Sequence, residues 1–482
     1  MKRITIFIVG LFTALAAQSQ EKQLSETILN GERWWAIGNK PVMLNHTNAP
    51  DGKFSLLVSS AGRYVWSKNH FTAECNDGKL ILGSTENLKT INAGKTLKEA
   101  YVTAHYKHIN AKVQVSKEIF ERPFYVMSVK DSENFTQEDI IKRAEWLIRK
   151  GFPNGTIIID DRWQEFYGSF SFDTQRFPDP GAMVKSLKEK GFDVKLSIVP
   201  YITPDSRLIR CEKLNNSIAT DPNGNPKIIR WNRGWSGCFD LNNESVQTRI
   251  NAALDKIKSE YKIDGFRFEC IDSEFPELAE SWAKIASMSK GNIANQIHNS
   301  TESIFEICYD DTDIENIKDF VSRVLSFGFS GKHHFIITPT HNSKSNILNQ
   351  IRLQTLMPTM QLIVENLEEL SAADLTTALE LVRYHHSNIP YFESILTAYS
   401  QKGDPFIRPL EYEFPRKGFC DCIDQFMIGD KIIIAPLSSD NRSRTVRLPK
   451  GVWFDCNNKK IKGPVVLNIN FDNNPLPYFR RK

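Results

Sequence analysis

Hydrophobic and polar positions change their period twice along this 482-residue chain. From about residue 21 to 125, short apolar runs at 54–59, 63–66 and 80–82 are separated by Asn, Asp and Gly. Residues 101–106 and 112–116 continue a two-residue alternation, so this region predicts short strands in a β-sandwich. Trp34 and Trp35 read as core of that unit rather than as a ligand platform, because aromatic rings carry much of a small core's buried area.

Near residue 136 the pattern lengthens to helices alternating with strands. Thr136 is an N-cap for a helix that stops at Gly151, and a strand at 155–159 then delivers Asp160-Asp161-Arg162-Trp163. A helix at 181–190 precedes a strand at 194–200, and a helix at 246–261 precedes one at 263–269. Helices at 282–289, 315–327 and 346–356 alternate with strands at 303–308 and 335–337. Alternation over roughly 260 residues predicts a parallel sheet of (β/α)8 length. A doubly wound sheet is the alternative, but no G-x-G-x-x-G follows the first strand. Short strands return at 426–428, 431–435, 445–448, 451–454 and 465–469. The expected fold is therefore α/β, a TIM barrel over 126–395 between an N-terminal β-sandwich (21–125) and a C-terminal β-domain (396–482).

Within the barrel the stretch 263–275, I-D-G-F-R-F-E-C-I-D-S-E-F, concentrates the candidate chemistry. Phe266 and Phe268 alternate with Arg267 and Glu269, as a strand requires. A carboxylate at the C-terminal end of a barrel strand stands where that architecture places catalytic acids. Solvation of the acids at a strand end is the other reading.

Composition narrows the class. Hydrophobic content of 41%, charged content of 24% and a formal charge of +4 describe a globular chain without a nucleic-acid footprint. Lys2-Arg3 before an apolar run at 4–17, with Ala14-Leu15-Ala16 as a cleavage pattern, reads as a signal peptide over 1–20. The run is shorter than the ~20 residues a membrane span needs, and no later segment is longer and apolar. A secreted or luminal protein is expected. Sequons at Asn45, Asn134, Asn154, Asn215, Asn243, Asn299 and Asn441 fit that compartment and predict a glycoprotein. The eight cysteines have no zinc-type spacing, and Cys211 and Cys238 are the pair that an oxidising compartment would allow to bridge. His333-His334 and His385-His386 show no metal spacing and read as surface or loop residues, so no metal or cofactor is expected.

Several ordered phrases carry a family resemblance. I-I-D-D-R-W-Q-E-F-Y-G-S-F (158–170), F-D-T-Q-R-F-P-D-P (172–180) and K-L-S-I-V-P-Y-I-T-P-D-S (195–206) resemble the first barrel strands of glycoside hydrolase family 31. R-W-N-R-G-W-S-G-C-F-D-L (230–241), I-D-G-F-R-F-E (263–269) and M-P-T-M-Q (357–361) extend the likeness. Past residue 400, I-R-P-L-E-Y-E-F-P (407–415), D-Q-F-M-I-G-D-K-I-I-I-A-P (424–436) and L-P-K-G-V-W-F-D (448–455) continue it. The chain is most similar to the myogenesis-regulating glycosidase-like branch.

The resemblance implies retaining hydrolysis of α-linked glycosides by two carboxyl groups about 5–5.5 Å apart. It implies Glu269 as nucleophile, where the family has Asp, and Asp310 or Asp311 as acid/base, with Asp310 favoured. Asp160, Asp161, Trp163, Trp231 and Arg267 are the implied sugar-binding residues. The chain departs from the family at Thr340, which stands for a sugar-contacting Asp, and at Ile307, where an Arg is expected. Two functions follow: an α-glycosidase with a Glu nucleophile, or a carbohydrate-binding or interaction protein that keeps the barrel without hydrolysis.

Overall fold

The computed structural model describes residues 22–38, 42–44, 54–109, 118–128, 135–204, 206–214, 216–221, 223–231, 234–269, 276–289, 291–295, 303–309, 317–329, 335–339, 347–436, 443–470, 476 and 478–482. Its N-terminal strands form one seven-stranded sheet. The long strand Arg63–Asn76 belongs to both halves: its start pairs with Phe54–Ser59 and Thr90–Asn92, and its end pairs with Lys79–Ser84. The bend encloses Trp34, Phe54, Leu57, Val65, Phe71, Leu80 and Leu82. Successive strand residues face opposite ways, so Trp35 packs on the other face with Tyr64, Leu97, Tyr101 and Tyr412. Both tryptophans are core.

The strand expected at 101–106 is a helix. Leu97, Ala100, Tyr101 and Ala104 share one helical face, are fully buried, and are preceded by the N-cap Thr96, whose hydroxyl accepts from Glu99 N. The helix Leu97–Ala104 continues into a π-turn at His105–Ile109. Its apolar stripe covers the sheet, and that tertiary contact overrides the local alternation. The strand expected at 112–116 lies outside the described residues.

Eight parallel strands follow: Phe124–Met127, Thr156–Ile159, Asp193–Ile198, Gly265–Phe268, Ile293–Asn295, Ser303–Tyr309, Phe335–Pro339 and Gln361–Ile363. Numbered in that sequence, they lie in the order 7-6-5-4-3-2-1-8, the cyclic order of a (β/α)8 barrel. Side chains divide by parity. Ile157, Ile159, Val194, Leu196, Ile198, Phe266 and Phe268 face the helices in the largest core. Phe124, Val126, Ile158 and Ile293 meet inside the barrel, with Ile363 against them. The first strand begins before the expected boundary at 126, and the helix Ile389–Lys402 runs through the one at 395. A small antiparallel sheet of Tyr201–Ile202, Gly234–Cys238 and Ile228–Trp231 follows the third strand. Cys211 and Cys238 form no disulfide: Cys211 is exposed on the helix Arg207–Leu214, whereas Cys238 is buried in the core.

The C-terminal unit is a six-stranded antiparallel sheet. It is bound to the N-terminal unit by the ion pair of Arg33 and Asp421 (2.6 Å), by that of Lys98 and Asp404 (3.0 Å), and by Arg416 donating to the Lys95 carbonyl. The Tyr101 and Tyr412 rings meet edge-on, 6.1 Å apart.

His385, expected at the surface, is instead 2% exposed in the helix Ala372–Ser387. Its Nδ1 lies 3.1 Å from the Thr355 carbonyl, which accepts the ring N–H. Burial holds the imidazole neutral and brings its pKa down to about 4. The unfolded chain, with a His pKa near ~6.5, binds the extra proton first. This contribution is therefore complete above pH 6.5 and is lost as pH falls towards 4, with a slope of at most about 1.4 kcal/mol per pH unit. Denaturant titrations from pH 7 to 4 are expected to show this slope, reduced by up to one proton in His385→Leu.

Candidate active site at the barrel mouth

The fourth strand, Gly265–Phe268, fixes the central acid. Phe268 turns outward onto Trp282 of the helix Pro276–Ser287, with ring centroids 4.6 Å apart. Glu269 follows with both backbone groups held: its N–H donates to the Ile198 carbonyl (2.9 Å), and its carbonyl accepts from Trp282 Nε1 (3.0 Å). Strand parity then turns Arg267 and Glu269 together to the inside of the barrel. Their side chains are only 11% and 13% exposed. Arg267 grips the carboxylate with two donors, Nε to Oε1 at 2.9 Å and Nη2 to Oε2 at 3.2 Å. Its third arm, Nη1, donates to Gln361 Oε1 at 2.9 Å.

The second strand, Thr156–Ile159, delivers the acid pair. Asp160 caps the short turn Asp161–Trp163, its Oδ1 accepting from Asp161 N at 2.8 Å. Asp161 is 5% exposed, and the Tyr167 hydroxyl donates to its Oδ1 at 3.3 Å. Tyr167 is tied to the third strand's loop, its N–H donating to Thr203 Oγ1 at 3.0 Å. Strand ends two and four thus bring Asp160, Asp161, Arg267 and Glu269 to the C-terminal end of the barrel.

Trp163 does not line the mouth. It is 1% exposed, packs on Phe172 at 4.7 Å, and donates from Nε1 to the Ser197 carbonyl at 2.8 Å. It offers no open face to a sugar and joins the second strand's loop to the third strand instead. Trp231 ends the strand Ile228–Trp231, and its side chain lies outside the described residues. Asp310, Asp311, Thr340 and His333-His334 also lie outside them; the sixth strand, Ser303–Tyr309, ends at the residue before Asp310.

Two site residues escape sequence reasoning. Gln361 and Tyr167 both fall in family-like phrases, M-P-T-M-Q and Q-E-F-Y-G-S-F. Neither carries a charge that would single it out. Among the described residues no group of three or more His, Cys, Asp or Glu is placed to hold a metal ion. No helix among them is long and apolar enough to cross a membrane.

Comparison with known proteins agrees with the barrel fold. The family description "Glycosyl hydrolases family 31 TIM-barrel domain" matches residues 123–338, and that of the family's C-terminal domain matches 403–482. The myogenesis-regulating glycosidase of Mus musculus is 22% identical over 414 residues, covering 76% of this chain and 57% of that protein. An alpha-glucosidase of Saccharolobus solfataricus is 35% identical over 105 residues, 21% of this chain and 15% of that protein. Among solved structures, a Flavobacterium johnsoniae GH31 dextranase complexed with glucose superposes with a TM-score of 0.76 at 15% identity, covering 96% of this chain and 66% of that one. A GH31 alpha-xylosidase from a soil metagenome, complexed with xylose, gives 0.74 at 16% identity, covering 96% and 79%. The chain spans about half the length of several curated relatives that it matches along most of its own.

Proposed function

The chain belongs to glycosyl hydrolase family 31, and from that premise we propose that it is a retaining α-glycosidase with Glu269 as nucleophile and Asp310 or Asp311 as acid/base. The observation that carries the reading is a buried carboxylate at the end of the fourth barrel strand, held by a guanidinium inside the barrel. Glu269 attacks the anomeric carbon and forms a glycosyl ester; the second carboxyl group protonates the leaving oxygen and then activates water. Asp160 and Asp161 accept hydroxyl hydrogen bonds from the sugar. The substrate class is an α-linked glycoside, in keeping with relatives named for dextran, xyloside and glucoside chemistry. The basic and apolar leader and the seven sequons support export and glycosylation.

A second reading is a carbohydrate-binding protein without turnover. It is favoured by the engagement of both Glu269 oxygens by Arg267, together with Thr340 where the family resemblance implies a sugar-binding Asp. A panel of aryl α-glycosides with the purified protein separates the two readings: release of the aryl group supports the glycosidase. Saturable binding without release supports the second, and the absence of both release and binding would sink both. In either case Asp161→Ala is expected to weaken glycoside binding by about 1.5–3 kcal/mol, the usual worth of a hydrogen bond to a charged group. Titration calorimetry should read this as roughly a 10- to 150-fold rise in Kd.

A further inference from the structure

Glu269 is one methylene longer than the Asp that the family resemblance implies at this place, so an extended side chain would carry the carboxylate about 1.5 Å too far. A displacement near ~1 Å can cost on the order of a hundredfold in rate. The barrel holds a group placed to remove that excess. Arg267 precedes Glu269 by two residues on the same strand and the same face, one layer deeper in the lumen. Its guanidinium is fixed from the opposite wall by Gln361, the first residue of the eighth strand. Along the hydrogen-bonded register, Gln361 pairs with Phe124, Phe124 with Thr156, and Thr156 with Asp193, which stands two residues before the Lys195–Gly265 pair. That register sets Gln361 against residue 263. A shear of ~8 residues per circuit raises half a circuit by about four, to the level of Arg267. The two side chains therefore meet straight across the lumen. Gln361 is itself seated, 6% exposed, with its N–H donating to Gln354 Oε1 at 2.7 Å.

We propose that Arg267, anchored across the barrel by Gln361, is a positioning residue that draws the Glu269 carboxylate down towards the lumen floor and takes up its additional length. The fork requires both carboxylate oxygens to face the guanidinium, so the side chain folds back instead of projecting from the mouth. A Lys at 267 could supply the charge but not the paired donors, nor a third arm for Gln361. The catalytic consequence rests on Glu269 being the nucleophile; the positional one does not.

The test has two parts that fail separately. Crystal structures of the Arg267→Gln and Arg267→Lys proteins are expected to show the Glu269 carboxyl carbon shifted towards the mouth by about 1 Å or more. An unmoved carboxylate overturns the proposal whether or not the protein is active. In aryl α-glycoside assays Arg267→Gln and Arg267→Lys are each expected to lower kcat about a hundredfold with little change in KM, whereas Glu269→Asp, whose shorter side chain has no excess to take up, is expected to keep kcat near the wild-type value. A Glu269→Asp protein faster than wild type would show that the Glu length is not taken up, and would overturn the idea. If wild type releases no aryl group, the nucleophile assignment falls while the crystallographic shift still decides the positioning. Gln361→Ala, which leaves the charge pair intact, should give the same displacement in smaller measure.

Discussion

Glu269→Gln is expected to abolish turnover of every α-glycoside that the wild-type protein cleaves, lowering kcat by roughly 10⁴-fold or more. The amide keeps the shape of the carboxylate, and its Oε1 can still accept from Arg267, so the fold should persist. It cannot form the glycosyl ester, because the amide oxygen is a poor nucleophile and a neutral one. The change leaves Trp282 and Ile198 untouched on the backbone groups of residue 269. Unfolding midpoints within a few degrees of wild type would separate lost chemistry from lost structure. Hydrolysis that survives the substitution would move the nucleophile to another acid, Asp272 being the next in sequence, and would leave Glu269 no part in ester formation.

The second large effect is expected at Gly265, four residues before that carboxylate. A Cβ added there would lie 2.1 Å from the Gly291 carbonyl oxygen, and the backbone φ of +156° is one that L residues rarely adopt. The opposing turn is as tight: a Cβ on Gly291 would stand 2.1 Å from the Asp264 carbonyl oxygen. The same Gly291 carbonyl accepts from Lys195 Nζ, so it cannot retreat without uncoupling the third strand. Gly265→Ala is expected to cost about 3–5 kcal/mol, combining overpacking with backbone strain. Denaturant unfolding should show this loss, and kcat should fall with it, because the strand that moves is the one carrying Arg267 and Glu269. A Gly265→Ala protein with wild-type stability would mean that the two turns separate freely.

Much of the barrel is legible in the chain because its second, third and fourth strands are strongly apolar and bounded by turn residues. The strands that escape are Phe124–Met127, Ile293–Asn295 and Gln361–Ile363. Two of them have three residues, too few to display a period, and barrel closure rather than local preference makes them strands. The helix Leu97–Ala104 escapes for a different reason. Its apolar spacing of three and four residues is present, but Tyr101 to Tyr106 also alternates, and the sheet beneath decides between the two periods. At the site, the charged residues Asp160, Asp161 and Glu269 stand out from their positions after strands, and Arg267 from its place inside an apolar strand. Gln361 does not, because a neutral amide acquires meaning only when the lumen brings it across from Arg267. Trp163 misleads in the opposite direction: an aromatic beside two acids resembles a sugar platform, yet its indole N–H is satisfied inside the core.

The union of the two β-units sets a schedule for the ribosome. Arg33 waits for Asp421, which comes 388 residues later in the chain. At usual synthesis rates of ~5–20 residues per second, that interval lasts roughly 20 to 80 s. Throughout it, the helix Leu97–Ala104 can already cover the Trp35 face of the sheet, but Tyr101 on that helix lacks the ring of Tyr412 against it. A nascent chain with an uncovered aromatic face is a substrate for holdase chaperones and for any export machinery that threads unfolded polypeptide. Closure of that face waits for the start of the C-terminal unit, so the N-terminal unit reaches its final packing only after the barrel has been made.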